Sequence, residues 1–205
     1  PLNAVTAFET AGRFGTAVLG GGAVTFDFDG AHVNSSATVS SSAKVTWKAG
    51  GGGGAPALFA GGPTFAATIT QDVNGTDAHG VFAIGEITVS ATAITFTNSH
   101  IGFKMVRAAS GANELFATQA DGTTENASAA LTTLAVSNEI TIIAVVNGTA
   151  SVDYFWTKAG TAISAATNLT ANLPTAAVEA LTFAVSNRDV ASRSQYGIGA
   201  ANYER

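Results

Sequence analysis

With 205 residues, a formal net charge of −5 and only 11% charged residues, the chain is long enough for a sizeable core, and all-β sandwiches of this length are commonly one domain. Its nine Lys and Arg are scattered singly, which argues against nucleic acid, because affinity for phosphates rests on clustered cations displacing counterions. The lack of Cys excludes disulfides, thiolate catalysis and Cys-ligated zinc, so stability must come from packing or assembly.

Ala (41) and Thr (27) dominate the composition. Burying an Ala contributes far less than the roughly 1.5–3 kcal/mol of a Leu or Phe. The 12 Phe and two Trp must therefore carry much of the core. Low charge density leaves neutral surface, which favours packing against something else. No apolar stretch approaches the roughly 20 residues that cross a bilayer, so no membrane partner is expected. The start PLNAVTAFET lacks the basic and apolar segments of a signal peptide; removal of an initiator Met or of a pro-segment would leave such a start. Five Asn-x-Ser/Thr triplets, at Asn34, Asn74, Asn126, Asn147 and Asn168, are read as compositional in a chain this rich in Ser and Thr.

Residues 1–23 show no clean alternation and read as an N-terminal arm or edge segment, with Phe8 and Phe14 as anchors, or as a first strand folded onto its own core. Residues 24–205 are expected to form the β-sandwich domain, with 24–97 and 98–205 as two sub-regions. Val24, Phe26 and Phe28 alternate with Thr25, Asp27 and Asp29, the period-two signature of a half-buried strand. Ala43 to Trp47 gives another strand. Gly50 to Gly54 must be a loop, because a glycine run in a strand interior is entropically unfavourable. Without a following Lys-Ser/Thr, and with Pro56 offering no donor, it is not a nucleotide loop.

Short strands are expected at 65–70, 81–84 with 87–89, and 93–97, with turns at Asn74-Gly75, Gly80 and Gly85. Asp72, Asn74 and Asp77 offer oxygen ligands, but the spacing departs from a calcium loop, and a solvated turn is expected. Ile101, Phe103 and Met105 begin a more regular half, followed by a strand over 114–120. Residues 126–136 are a small-residue connection with room for one helical turn. The hairpin Glu139 to Trp156 is the firmest element, with EITIIAVV and TASVDYFW joined at Asn147-Gly148. Both faces of 140–146 are apolar, which places that strand in the interior of a layered structure. Residues 158–174 read as a loop, 175–179 as one helical turn after Pro174, and 181–186 with the terminal segment as the last strands. The total is about ten to twelve strands, without a repeat of the solenoid or propeller type.

Chemistry is sparse. His32, His79 and His100 sit beside predicted turns, without a local metal spacing, and read as inert turn histidines. Glu86, Glu114, Glu125, Glu139, Asp27, Asp29 and Asp153 could supply a glycosidase pair only inside a cleft, whereas most fall on solvent-facing positions. Tyr154 and Trp156 could stack on a sugar ring, with Asp153 or Asn147 holding hydroxyls, but their alternation with Val152 assigns them to the core. No catalytic, cofactor-binding or metal-ligating residue is assigned, and an enzyme is not expected.

The series HIGFKMVRA, ELFATQADGTTENASAAL, EITIIAVVNGTASVDYFW, ALTFAVSN and ANYER, over about residues 98 to 205, resembles a group of tailed-phage virion proteins with concanavalin-like or jelly-roll sandwich domains. The resemblance implies an all-β, antiparallel β-sandwich that needs no cofactor. It implies a virion structural protein, of the capsid decoration (cement) type, that binds the major capsid protein on the head exterior as a homo-oligomer such as a trimer. The alternative it implies is a carbohydrate-binding module of a phage fibre or spike, whose partner is a host surface glycan. No compact calcium-type set of Asp and Asn aligns with that of lectins of this fold class.

Overall fold

A computed structural model of the chain describes residues 2–3, 14–27, 30–36, 40–48, 64–73, 78–85, 87–90, 93–107, 112–174, 180–187 and 195–204. All the regular structure among them is strand. In chain order the strands are β1 (Leu2–Asn3), β2 (Phe14–Leu19), β3 (Ala23–Asp27), β4 (Gly30–Asn34), β5 (Ser41–Lys48), β6 (Thr64–Val73), β7 (Ala78–Gly85), β8 (Thr88–Val89), β9 (Ile94–Thr95), β10 (His100–Arg107), β11 (Asn113–Ala120), β12 (Glu125–Ala127), β13 (Thr132–Leu134), β14 (Glu139–Asn147), β15 (Ser151–Lys158), β16 (Thr167–Leu169), β17 (Ala180–Asn187) and β18 (Gln195–Glu204).

They build two large sheets. The first has the order β16-β15-β14-β6-β18-β4-β3, with β1 also on β18; the second has the order β12-β11-β10-β7-β17-β5-β2, with β13 also on β11. Every ladder is antiparallel. The expected antiparallel β-sandwich is the observed one, and each sheet interleaves strands from before and after residue 98.

The core lies between the sheets because successive strand side chains point to opposite faces. Ile101, Phe103 and Met105 of β10 are fully buried, as are Phe65 of β6, Phe82 of β7, Phe183 of β17 and Tyr154 of β15. Their rings touch in series. Phe183 meets Phe82 at 6.2 Å between centroids, Phe82 meets Phe65 at 6.0 Å, Phe65 meets Phe103 at 6.4 Å, and Phe103 meets Tyr154 edge-on at 5.3 Å. Such tilted and T-shaped pairs add about 0.5–1.5 kcal/mol each beyond area burial. Ile140, Ile142, Leu115, Tyr196 and several Val and Ala residues fill the remaining space. A side chain at Gly80 would meet Met105 and Tyr196, so this glycine permits close packing inside β7 and does not form the expected turn.

Two polar ties join the sheets inside the core. The Tyr154 hydroxyl lies 3.1 Å from both the Thr118 carbonyl and Gln119 Oε1, and Gln119 Nε2 donates to the Ala171 carbonyl at 2.6 Å. Asn113 Nδ2 donates to Gln71 Oε1 at 2.8 Å and to the Tyr196 hydroxyl at 3.2 Å. Burial pushes both phenols up, Tyr154 well above the ordinary value and Tyr196 to about 12, so both stay neutral and able to donate.

The segment between β7 and β10 forms a third layer on the outside of the second sheet. Ile87, Ile94, Val89 and Phe96 pack on Val81, Ala83 and Ala184, and Thr182 Oγ1 fixes the edge by donating to the Gly85 carbonyl at 2.6 Å. Close approach is possible because the sheet there presents small residues, Val81, Ala83, Thr182 and Ala184.

Several expectations are corrected. Strands outnumber ten to twelve because pieces as short as β8, β9, β12, β13 and β16 carry too few residues to show a period. Thus 126–136, read as a connection with room for a helical turn, holds β13 and part of β12, and the loop 158–174 holds β16. Strand β14 buries one face only: Ile140, Ile142, Ala144 and Val146 are buried, while Thr141, Ile143 and Val145 are half-buried on the outside. In the central hairpin Asn147 already pairs with Ser151, so the turn centres on Gly148 and Thr149, with Ala150 N donating to the Asn147 carbonyl at 3.2 Å. Gly148 has φ 60°, the positive value that a primed turn needs at its first central position. The five-glycine loop, the Asn74–Asp77 turn, the 175–179 segment and Phe8 lie outside the described residues.

A Cβ at Gly102 would fall on the Phe82 carbonyl oxygen and the Ala83 side chain. Gly102→Ala is therefore expected to lower stability by about 1–3 kcal/mol. A urea-unfolding midpoint that falls while the slope stays constant checks this.

Candidate functional site

The outer face of the first sheet carries no covering layer among the described residues. Its row on β14 is Thr141, Ile143 and Val145, and its row on β15 is Asp153, Phe155 and Thr157, all half-buried. Register places Ile143 between Phe155 and Ala66, and Val145 beside Asp153. The result is a short apolar stripe flanked by threonines on one side and a polar cluster on the other, with Thr68 and Thr141 hydroxyls 3.5 Å apart.

Asp153 is the centre of that cluster. Asn147 Nδ2, at the end of β14, donates to its Oδ2 at 2.8 Å and to Ser151 Oγ at 3.3 Å. Asn168 Nδ2, on the edge strand β16, donates to its Oδ1 at 2.6 Å. Register is the local reason: β16 pairs Asn168 directly with Asp153, and the Gly148 turn returns Asn147 to the same corner. Both carboxylate oxygens are thereby fixed in direction on an exposed face. Among the described residues Asp153 has no cationic partner.

The sequence separated the other candidates correctly in part. Tyr154 is fully buried in the core, as expected, and cannot stack on a ligand. Trp156 is half-buried against that core, with its backbone N–H donating to Ser164 Oγ at 3.0 Å and Lys158 Nζ 5.8 Å from its ring. Glu114 is half-buried on β11 and Glu139 is exposed. Asp29, Glu86 and the side chain of Asp27 lie outside the described residues. Asn168 carries no signal in the sequence beyond an Asn-x-Thr triplet in a segment that reads as loop.

The histidines are strand residues, not turn residues: His32 lies in β4, His79 in β7 and His100 at the start of β10. His79 packs its ring 5.9 Å from that of Phe96. His100 is fully buried and belongs to a relay. Its Nδ1–H donates to the Asn98 carbonyl at 2.7 Å, and its Nε2 lies 3.1 Å from Thr118 Oγ1. Thr118 Oγ1 is in turn 2.7 Å from Glu125 Oε1, to which Lys104 Nζ donates at 2.6 Å. Lys104 also lies over the Phe96 and Phe116 rings, at 5.0 and 5.7 Å. Glu125 is thus engaged by a lysine and a threonine.

Among the described residues no three His, Asp or Glu converge as a metal site. At the Asp153 cluster both amides turn N–H groups toward the carboxylate, whereas a hard cation needs several oxygens converging at about 2.3–2.6 Å. These residues do not fit a calcium ion.

Solved structures with this layering include a legume lectin-like domain from Entamoeba histolytica, with a TM-score of 0.61 at 8% identity over 95% of this chain and 91% of that one. The fold is that of the concanavalin-like β-sandwiches. The exoplasmic/lumenal domain of VIP36 in its Ca2+/Man3GlcNAc-bound form shares this sandwich, with a TM-score of 0.59 at 7% identity over 94% and 83% of the two chains. So does the alginate lyase from Klebsiella pneumoniae, with a TM-score of 0.56 at 7% identity over 86% and 81%. None of these three is a virion protein. No family model matches the chain, and no curated protein matches it in sequence. Concanavalin-like sandwiches at such low identity share architecture alone, so the function must be argued from the site.

Burial of His100 pushes its imidazole below the ordinary 6.5, against smaller opposing effects of the Asn98 carbonyl and Glu125. The unfolded chain therefore takes up a proton first as pH falls, and stability present above 6.5 is lost progressively below it. Urea midpoints measured from pH 7.5 to 5 are expected to decline, with a shallower decline in His100→Gln.

Proposed function

We propose that this protein is a non-catalytic attachment module that binds a carbohydrate on the outer face of its first sheet, at Asp153, Asn147 and Asn168. One observation carries this: both oxygens of a half-buried, outward-facing carboxylate are held by amides from a turn and an edge strand, beside Phe155. Polar groups fixed in direction can engage adjacent sugar hydroxyls without an ordering cost, and an apolar ring supports the C–H face of a pyranose. The concanavalin-like fold supports the reading, since glycan-bound examples exist among its members. The non-catalytic part rests on the engagement of Glu125 by Lys104 and of Asp153 by two amides, which ties up these two acids.

On a glycan array the wild-type protein is expected to retain a subset of sugars. Asp153→Ala and Phe155→Ala should each weaken retention at least about tenfold, which corresponds to roughly 1.4 kcal/mol. Thermal midpoints should stay close to wild type, because both side chains face outward. A wild-type protein that retains no glycan, or product release from a polysaccharide panel, would sink the proposal.

A second reading, a virion surface protein on the capsid exterior, draws on a different feature. Edge strand β2 exposes Val18 and Leu19 at 50% and 47%, beside the glycine turn into β3. Exposed apolar residues on a sheet edge suit contact with a second copy or a capsid subunit. Sedimentation of the full chain is expected to show an oligomer that Val18→Asp dissociates; a monomer that also fails to bind capsids counts against this reading.

A further inference from the structure

We infer that the ligand at Asp153 is a neutral or amino sugar that presents hydroxyl or ammonium donors, and that acidic sugars are excluded; this rests on the reading of the cluster as a sugar site. Most of the cluster's donors are already spent inside it. Both hydrogens of Asn147 Nδ2 are engaged, one by Asp153 and one by Ser151. One hydrogen of Asn168 Nδ2 is engaged by Asp153. A carboxylate cannot accept from an amide oxygen, so neither amide can be reversed while it holds Asp153. What remains for a ligand is mostly acceptor: free lone pairs on both Asp153 oxygens, Asn147 Oδ1 and Asn168 Oδ1. The remaining donors are one Asn168 amide hydrogen and the Ser151 hydroxyl.

A uronate or sialate would bring a second carboxylate to this surface. It would meet like charge, and no described cation contacts the cluster to offset it. The chain as a whole, at net charge −5, adds repulsion in the same direction. A neutral sugar has hydroxyls that donate into these acceptors. An ammonium group in place of one hydroxyl forms a charge-assisted bond, roughly twice as strong as the neutral one. Among otherwise matched sugars, the amino sugar is therefore favoured, by about tenfold at low salt. The advantage shrinks as salt rises, because the partly exposed pair is screened.

The test is a glycan array carrying neutral, amino and acidic sugars, probed with the full chain at low salt, with and without a calcium chelator. Titration of matched glucosamine and N-acetylglucosamine oligomers at pH 6 follows. Hits should be confined to neutral and amino sugars and be unaffected by the chelator, with the glucosamine oligomer bound about tenfold tighter. Asp153→Asn removes the charge, with one bracing amide reversing to face the new Nδ2; it should abolish that preference and admit acidic sugars. Acidic sugars among the Asp153-dependent hits, equal binding of the two oligomers, a preference that survives Asp153→Asn, or hits lost with the chelator would each overturn the inference while leaving a sugar site in place. An array with no hits overturns the underlying reading instead.

Discussion

Five aromatic rings drawn from both sheets set the distance at which the rest of this protein has to fit. Phe183, Phe82 and Phe103 come from the second sheet, Phe65 and Tyr154 from the first, and they touch in one continuous series. Around them the interior mixes small and large side chains. Ala43, Ala67, Ala117 and Ala144 are all buried, and Ile101, Met105, Leu115, Ile140, Ile142 and Tyr196 supply the other large side chains between the sheets. A chain so rich in alanine gains little burial energy per residue, and its few large rings have to be placed well. Tyr154 adds direction to that packing, because its hydroxyl reaches the opposite sheet at Thr118 and Gln119.

Once the inner faces are committed, strand parity decides what each outer face presents. On the second sheet the outward residues are largely Ala, Gly, Val and Thr, and the segment through Ile87 and Ile94 lies down on them as a third layer. On the first sheet the outward residues of β14 and β15 are larger and half-buried, and no described segment covers them. The two sides of the sandwich are therefore unlike. Asp153 lies on the open side because it alternates with Val152 and Tyr154, both wholly buried. The same alternation that makes Tyr154 a core residue makes its neighbour a surface one.

Much of this was legible in advance. Ile101, Phe103 and Met105 alternate strictly, and they are the buried row of β10; Val152 and Tyr154 do the same for β15. The apolar double face of 140–146 misled, because Ile143 and Val145 look interior by composition while facing outward by parity, half-covered only by neighbours such as Phe155 and Ala66. Gly80 misled for a related reason: a glycine missing a side chain for close packing reads like one that turns the chain. The short strands β12, β13 and β16 exist through pairing to a longer partner, information that no local period contains. The Asp153 cluster was half visible. Asp153 and Asn147 share a hairpin, but Asn168 arrives through the unforeseen β16, and the His100 relay draws on β10, β11 and β12 at once.

Asn147 and Asn168 are each the first residue of an Asn-x-Thr triplet, and their Nδ2 atoms are the ones that brace Asp153. Those nitrogens are also the atoms to which an oligosaccharyltransferase would attach a chain. A substituted amide keeps a single hydrogen, so Asn147 would have to choose between Ser151 and Asp153, and the bulk added would lie across the open face. In a glycosylating secretory compartment, bracing and glycosylation would compete for the same two atoms, and the sugar the protein carried would occlude the surface proposed to read one.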